Sequence, residues 1–232
     1  MERFNVKDII KQAGGLELIN STGLASNNKY MIHAVKTIQE QLDWVHALKL
    51  EHLLPLDILE IGTGAGFFPF ISKSYGHNVD SCDDRHPDSW WEDGYQLLNI
   101  DPKNYFIYKN ISVGNTFGQK FDMIVSFRST IGTTTYVDPP DTGIDIWGVD
   151  EWKFFFKDCS KNLLKLDNSF MYFQCNKGCN LPPYVNMDLN EISDWGSKEL
   201  GEFFLPYQIN SSSPRLAAAH HFYITKKQID NL

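Results

Sequence analysis

The residues able to do chemistry gather in one stretch, Asp57-Ile58-Leu59-Glu60-Ile61-Gly62-Thr63-Gly64-Ala65-Gly66, and in an acid further on, Asp83. Ile58, Leu59 and Ile61 suit a buried central strand, and Gly62, Gly64 and Gly66 follow at every second position. Glycine tolerates backbone angles and close approach that a side chain would block. A strand, a glycine turn and a helix N-terminus together aim backbone N–H groups at a bound nucleotide. Gly76 to Asp83 reads as a second strand ending in an acid, and a carboxylate at that point accepts both hydroxyls of a ribose. The plain alternative is a solvated loop acid beside Asp84. Strand, acid and spacing together favour the ribose role.

Spacing separates one nucleotide from another. A dinucleotide fold needs G-x-G-x-x-G. Here the third glycine arrives one position early, and Phe67 stands where that pattern has glycine. The bulk of Phe67 and Phe68 is expected to obstruct a pyrophosphate approaching the helix. An acid two places before the first glycine, followed by G-x-G-x-G, resembles motif I of the Rossmann-like (class I) S-adenosylmethionine-dependent methyltransferases. Asp83 agrees with that family's motif II. Lys120 to Phe127, entered through Phe121-Asp122, resembles its fourth strand. The resemblance runs from about Leu56 to Lys226.

The resemblance implies an α/β fold with a seven-stranded Rossmann-like sheet. That sheet is mostly parallel, carries a C-terminal antiparallel hairpin strand and has helices on both faces. Residues 1–52 are expected to form an N-terminal helical lid, and residues 53–232 the cofactor-binding core of a single structural domain. The implied cofactor is S-adenosyl-L-methionine, held by Glu60, Gly62, Thr63, Gly64, Gly66 and Asp83. Asn110 stands where family members commonly place an acid near the adenine amino group. The backbone of Ile111 lies beside it, and Phe127 closes the fourth strand. The implied activity is methyl transfer to an O, N or C nucleophile of a small molecule. A non-catalytic cofactor-binding partner or sensor would keep the same pocket, as would a methyltransferase acting on a protein or nucleic acid.

Elements must carry these residues to one place. Residues 5–13 read as a short helix, and Ser26 as the N-cap of a longer one. In that longer helix Met31, Val35, Ile38, Leu42 and Val45 mark an apolar face. Residues 67–75 read as a helix with Pro69 tolerated in its first turn. Strands are expected at Tyr105 to Tyr108, Lys120 to Phe127, Phe170 to Cys175, Phe203 to Tyr207 and Leu216 to Thr225. Helices are expected at Glu151 to Leu164 and Leu189 to Leu200, and a long loop at Ser129 to Val149. Asp122, at a strand start, reads as structural.

Ligands of open α/β sheets bind beyond the carboxyl ends of the strands. That rule directs Arg128 toward the reacting centre. It makes Tyr136 and Trp147, in the long loop, candidates for the acceptor pocket. By resemblance the leading helices cover the mouth, which adds Tyr30 and His33; packing on the sheet edge is an equal reading for both. Candidate bases are Asp138, His220, His221 and His33. Strand alternation puts His220 and His221 on opposite faces, and a packing histidine is the plainer reading of each. Asp138-Pro139-Pro140 lies too far beyond the fourth strand to be the D-P-P-Y signature of adenine amino methyltransferases, and Asp141 replaces its aromatic residue.

Composition bounds the partners. The 232 residues carry a net charge of −8 and no Lys/Arg run, which argues against nucleic acid, whose binding rests on clustered cations. The N-terminal residues lack the apolar core of a signal peptide, and no stretch reaches transmembrane length, so no membrane role is expected. Cys82, Cys159, Cys175 and Cys179 form no disulfide framework. Cys175 and Cys179 lack a second ligand pair for a metal, so buried thiols in a reducing cytoplasm are expected. Oligomeric state stays open.

Overall fold

The computed structural model describes residues 34–64, 66–83, 111–112, 114, 116–129, 136–137, 149–175 and 220–232. Helix α1 spans Ala34–Ala47. One turn of 3-10 helix at Leu50–His52 leads toward strand β1, Asp57–Ile61. Helix α2 is Phe67–Ser74 and strand β2 is Asn78–Cys82. Strands β3, Ile111–Ser112, β4, Met123–Ser129, and β5, Tyr136–Val137, follow. Helix α3, Val149–Asn162, strand β6, Phe170–Cys175, strand β7, His220–Thr225, and helix α4, Lys226–Asp230, complete the order.

Five strands form one sheet in the order β2-β1-β4-β6-β7. β1 lies between β2 and β4 and runs parallel to both, β4 is parallel to β6, and β7 returns antiparallel to β6. The carboxyl ends of β1, β2, β4 and β6 therefore share one edge of the sheet. β3 and β5 make a separate parallel pair. The strands expected at 105–108 and 203–207 lie outside the described residues, as do the helices expected at 5–13 and 189–200.

Side-chain alternation sorts the strands into two faces. On one face Leu59, Ile61, Ile124, Met171, Phe173 and Ile224 pack with Phe155, Phe156, Cys159 and Leu163 of α3 and Ile229 of α4. The other face meets α1 and α2 through Trp44, Phe68, Phe127 and Tyr172. Helices thus cover both faces, as expected. Ile38, Leu42 and Val45 of the anticipated apolar stripe are buried. Cys82 and Cys159 are free, buried thiols, and burial pushes the Cys159 thiol well up.

Three local readings change. β5 lies inside the stretch expected to be loop. α3 starts two residues before Glu151 and ends at Asn162; Leu164 leaves it to bridge Phe121 beside the start of β4. A final helix, α4, follows β7, with Thr225 and Gln228 forming a reciprocal cap at its first turn.

Two polar clusters pin the edge opposite the carboxyl ends. The Asp122 carboxylate accepts from the Asp57 N–H at 2.9 Å and from Lys165 at 2.9 Å, and Lys165 also reaches Asp57. Asp122 is structural, as its position at the strand start implied. Nearby, Nδ1 of buried His77 accepts from the Leu56 N–H at 3.1 Å, which leaves Nε2–H to donate to the Leu50 carbonyl at 2.8 Å. His77 is thereby held neutral, and burial lowers its pKa.

Candidate functional site

The loop after β1 turns because three glycines take positive φ, +75° at Gly62, +56° at Gly64 and +74° at Gly66. Side chains rarely adopt such angles. The N–H groups of Gly62 and Thr63 both donate to the Cys82 carbonyl, at 2.8 and 3.3 Å, which ties the loop to the end of β2. Gly66 caps α2, and its N–H donates to the Thr63 carbonyl at 3.1 Å. The hydroxyl of Ser126, buried in β4, donates to the Ile61 carbonyl at 2.9 Å. The loop is held from both neighbouring strands.

Two carboxylates frame it. Glu60 is 2% exposed, and one of its oxygens accepts from the Thr63 hydroxyl at 2.5 Å. Asp83, half-buried at the end of β2, accepts from the Gly64 N–H at 2.9 Å. Burial, chiefly, pushes the Glu60 carboxyl up to about 8, and the negative charge of Asp83 adds to the rise while the Thr63 hydrogen bond opposes it. Burial thus favours the protonated form of this acid over the carboxylate.

The donor set fits S-adenosylmethionine. The Gly64 N–H donates to Asp83, so the turned loop fixes that carboxylate beside the glycine backbone. Asp83 is a carboxylate at the strand end where a ribose diol would need an acceptor. Glu60 is a buried acid suited to a cationic group. Phe67 and Phe68 are 3% and 1% exposed, so both rings pack inward.

Other anticipated residues fall as follows. The ring of Phe127 is 6% exposed, stacked on Trp44 at 5.3 Å between centroids and tilted against Phe68 at 4.7 Å. Arg128 follows it at a β-bulge. Phe127 pairs with Gln174 and Ser129 with Cys175, so Arg128 is the extra residue of β4. Ile111 opens β3 in register with Tyr136 of β5. His220 and His221 pair with Cys175 and Gln174, which places them at the carboxyl edge, two strands beyond β4. Tyr30, His33, Asn110, Asp138 and Trp147 lie outside the described residues.

Trp44 is the residue that sequence reasoning missed. It borders the apolar stripe of α1 without belonging to its steps of three and four, and it is 3% exposed against Phe127 and Tyr172. An indole at the rim of a stripe was the available signal. Burial raises the Tyr172 phenol well above its usual range, which removes it as a base near neutral pH. Among the described residues no group of three or more His, Cys, Asp or Glu could hold a metal ion, and no helix is long and apolar enough to cross a membrane.

No protein-family model matches the chain, and no curated protein matches it. Solved structures do. One is a ribosomal protein methylase from Lactobacillus delbrueckii subsp. bulgaricus, with 15% identity, 69% of this chain and 68% of that one covered, and a TM-score of 0.38. A second is an S-adenosylmethionine-dependent methyltransferase from Clostridium acetobutylicum, with 18% identity, coverage of 59% and 49%, and a TM-score of 0.38. A third is a cyclopropane-fatty-acyl-phospholipid synthase-like protein from Lactobacillus casei, with 16% identity, coverage of 64% and 52%, and a TM-score of 0.43. The match spans about half the length of the last two. These are loose likenesses, and the functional reading rests on the residues of the loop.

Proposed function

We propose that the protein binds S-adenosylmethionine in the loop after β1 and transfers its methyl group to an O, N or C nucleophile of a small molecule. The observation that carries the reading is the constellation of buried Glu60, the glycine turn with three positive φ angles, and Asp83 with its carboxylate on the Gly64 N–H. The cofactor supplies an electrophilic methyl group on a sulfonium. The chain's part is to hold the ribose through Asp83, to admit the ligand along the glycine backbone, and to set the acceptor in line. Orientation of that kind supplies much of the acceleration in transfer reactions.

Several features support an acceptor site at the carboxyl edge near the end of β4. Arg128 sits on a bulge there, and His220 and His221 enter the same edge from β7. If the acceptor must lose a proton, one of these histidines or Asp138 is the base we assign. The net charge of −8 favours a small acceptor over nucleic acid.

The test is transfer from methyl-labelled S-adenosylmethionine in a fractionated cell extract. The reading predicts label in the low-molecular-weight fraction. Label confined to protein or nucleic acid overturns the small-molecule assignment. Cofactor binding with no transfer to any fraction favours a sensor or partner subunit.

A further inference from the structure

Met123 to Phe127 is a buried run in the middle strand of the sheet, and Ser126 is its one polar residue, 1% exposed. Alternation turns its side chain to the face of Ile124, which packs with α3, and Phe173 of β6 lies beside it in register. A hydroxyl in such an apolar layer costs free energy unless it finds a partner. Its partner is the Ile61 carbonyl, at 2.9 Å. Backbone pairing between β1 and β4 ends one step earlier, at Glu60 and Val125. The hydroxyl therefore carries the contact between the two strands past their last backbone pair, to the point where β1 turns away at Gly62.

The peptide unit between Ile61 and Gly62 is planar, so fixing its carbonyl also fixes its N–H. That N–H donates to the Cys82 carbonyl of β2 at 2.8 Å. One rigid unit is thus held crosswise, by a side chain of β4 on one side and by the backbone of β2 on the other. The next two N–H groups follow it toward β2: Thr63 donates to the Cys82 carbonyl at 3.3 Å, and Gly64 to the Asp83 carboxylate at 2.9 Å. We infer that Ser126 is a positioning residue for the cofactor: its hydroxyl sets the tilt of the Ile61–Gly62 peptide, and with it the turn in which the Gly64 N–H meets Asp83. The inference rests on the cofactor reading above. Ser126 acts through the loop and takes no part in the transfer itself.

The experiment joins two measurements on the full chain: calorimetric titration with S-adenosylhomocysteine, and residue-resolved amide hydrogen exchange without ligand. Ser126→Ala removes the hydroxyl and little volume. It should bind S-adenosylhomocysteine about fivefold to tenfold more weakly, the effect of one neutral hydrogen bond. Its Gly62, Thr63 and Gly64 amides should exchange faster, while the amides paired between β4 and β6 keep their wild-type rates. Ser126→Thr, which keeps the hydroxyl, should return both readouts toward the wild type. Ser126→Cys fills the same space with a weak donor and should behave like Ser126→Ala; it carries the test if the alanine variant does not fold. Faster exchange throughout the sheet, with the loop amides no worse than the rest, would make Ser126 a packing residue and overturn the inference. Wild-type affinity in folded Ser126→Ala or Ser126→Cys also overturns it and leaves the cofactor reading standing. No binding of S-adenosylhomocysteine to the wild type overturns both.

Discussion

At the scale of single residues the loop rests on backbone conformation. Gly64 holds φ at +56° while its N–H donates to Asp83, and a β-branched residue at such an angle is strained by about 1–2 kcal/mol. Gly64→Val should therefore abolish cofactor binding, because its side chain blocks the approach to the backbone. The chain should stay folded, with a modest loss of stability. Calorimetry and denaturant unfolding on the same preparation separate the two effects; unchanged affinity would remove the glycine loop from the site. Asp83→Ala should weaken cofactor binding by about 1–3 kcal/mol, the usual cost of losing hydrogen bonds to a charged acceptor. That loss would be read as a rise in Kd with little change in unfolding midpoint, since Asp83 is only half-buried.

At the scale of elements, two contacts fix how the helices meet the sheet. Trp44 anchors α1 by stacking on Phe127, and its removal leaves a cavity between α1, β4 and β6. Trp44→Ala should cost about 3–5 kcal/mol, measured by denaturant unfolding. It should also weaken ligand binding, because Phe127 lies toward the carboxyl end of β4, beside the site. A loss below 1 kcal/mol would mean that α1 is held elsewhere. The second contact is His77, which links the 3-10 turn to the residue before β1. Its pKa is lowered by burial, outweighing the Leu50 hydrogen bond that raises it. The neutral form is thus favoured in the folded state. This stability is fully present above the unfolded histidine pKa of about 6.5 and is lost as pH falls from there through the folded value. Unfolding free energies measured from pH 8 to pH 5 should fall on the acid side, and His77→Asn should flatten that part of the curve. An identical slope in the variant would assign the loss to another group.

At the scale of the whole molecule, the parts legible in sequence were those set by local pattern. The apolar run at Ile58 to Ile61, the acid closing the second strand and the Phe121-Asp122 entry to β4 each carry their signal within a few residues. The parallel order with Glu60 and Asp83 at one edge followed from these. What escaped depends on partners distant in the chain. Trp44 finds Phe127 only once α1 lies on the sheet, and the bulge at Arg128 exists only in register with β6. Two-residue β5 has no periodicity to read, and five-residue α4 is defined by its cap more than by an apolar face. In the candidate site, the glycines and both acids were legible by type and spacing. The Thr63 bond to Glu60 and the upward shift of that acid's pKa were not, because they arise from folding and burial.

The central claim is that the loop after β1 takes S-adenosylmethionine. Its most direct test is calorimetry of the wild-type protein with S-adenosylmethionine, S-adenosylhomocysteine and NAD in parallel, repeated with Gly64→Val. The account predicts binding of both sulfur nucleotides to the wild type alone and no binding of NAD. NAD binding without the sulfur nucleotides, or no binding of any of the three, would contradict it.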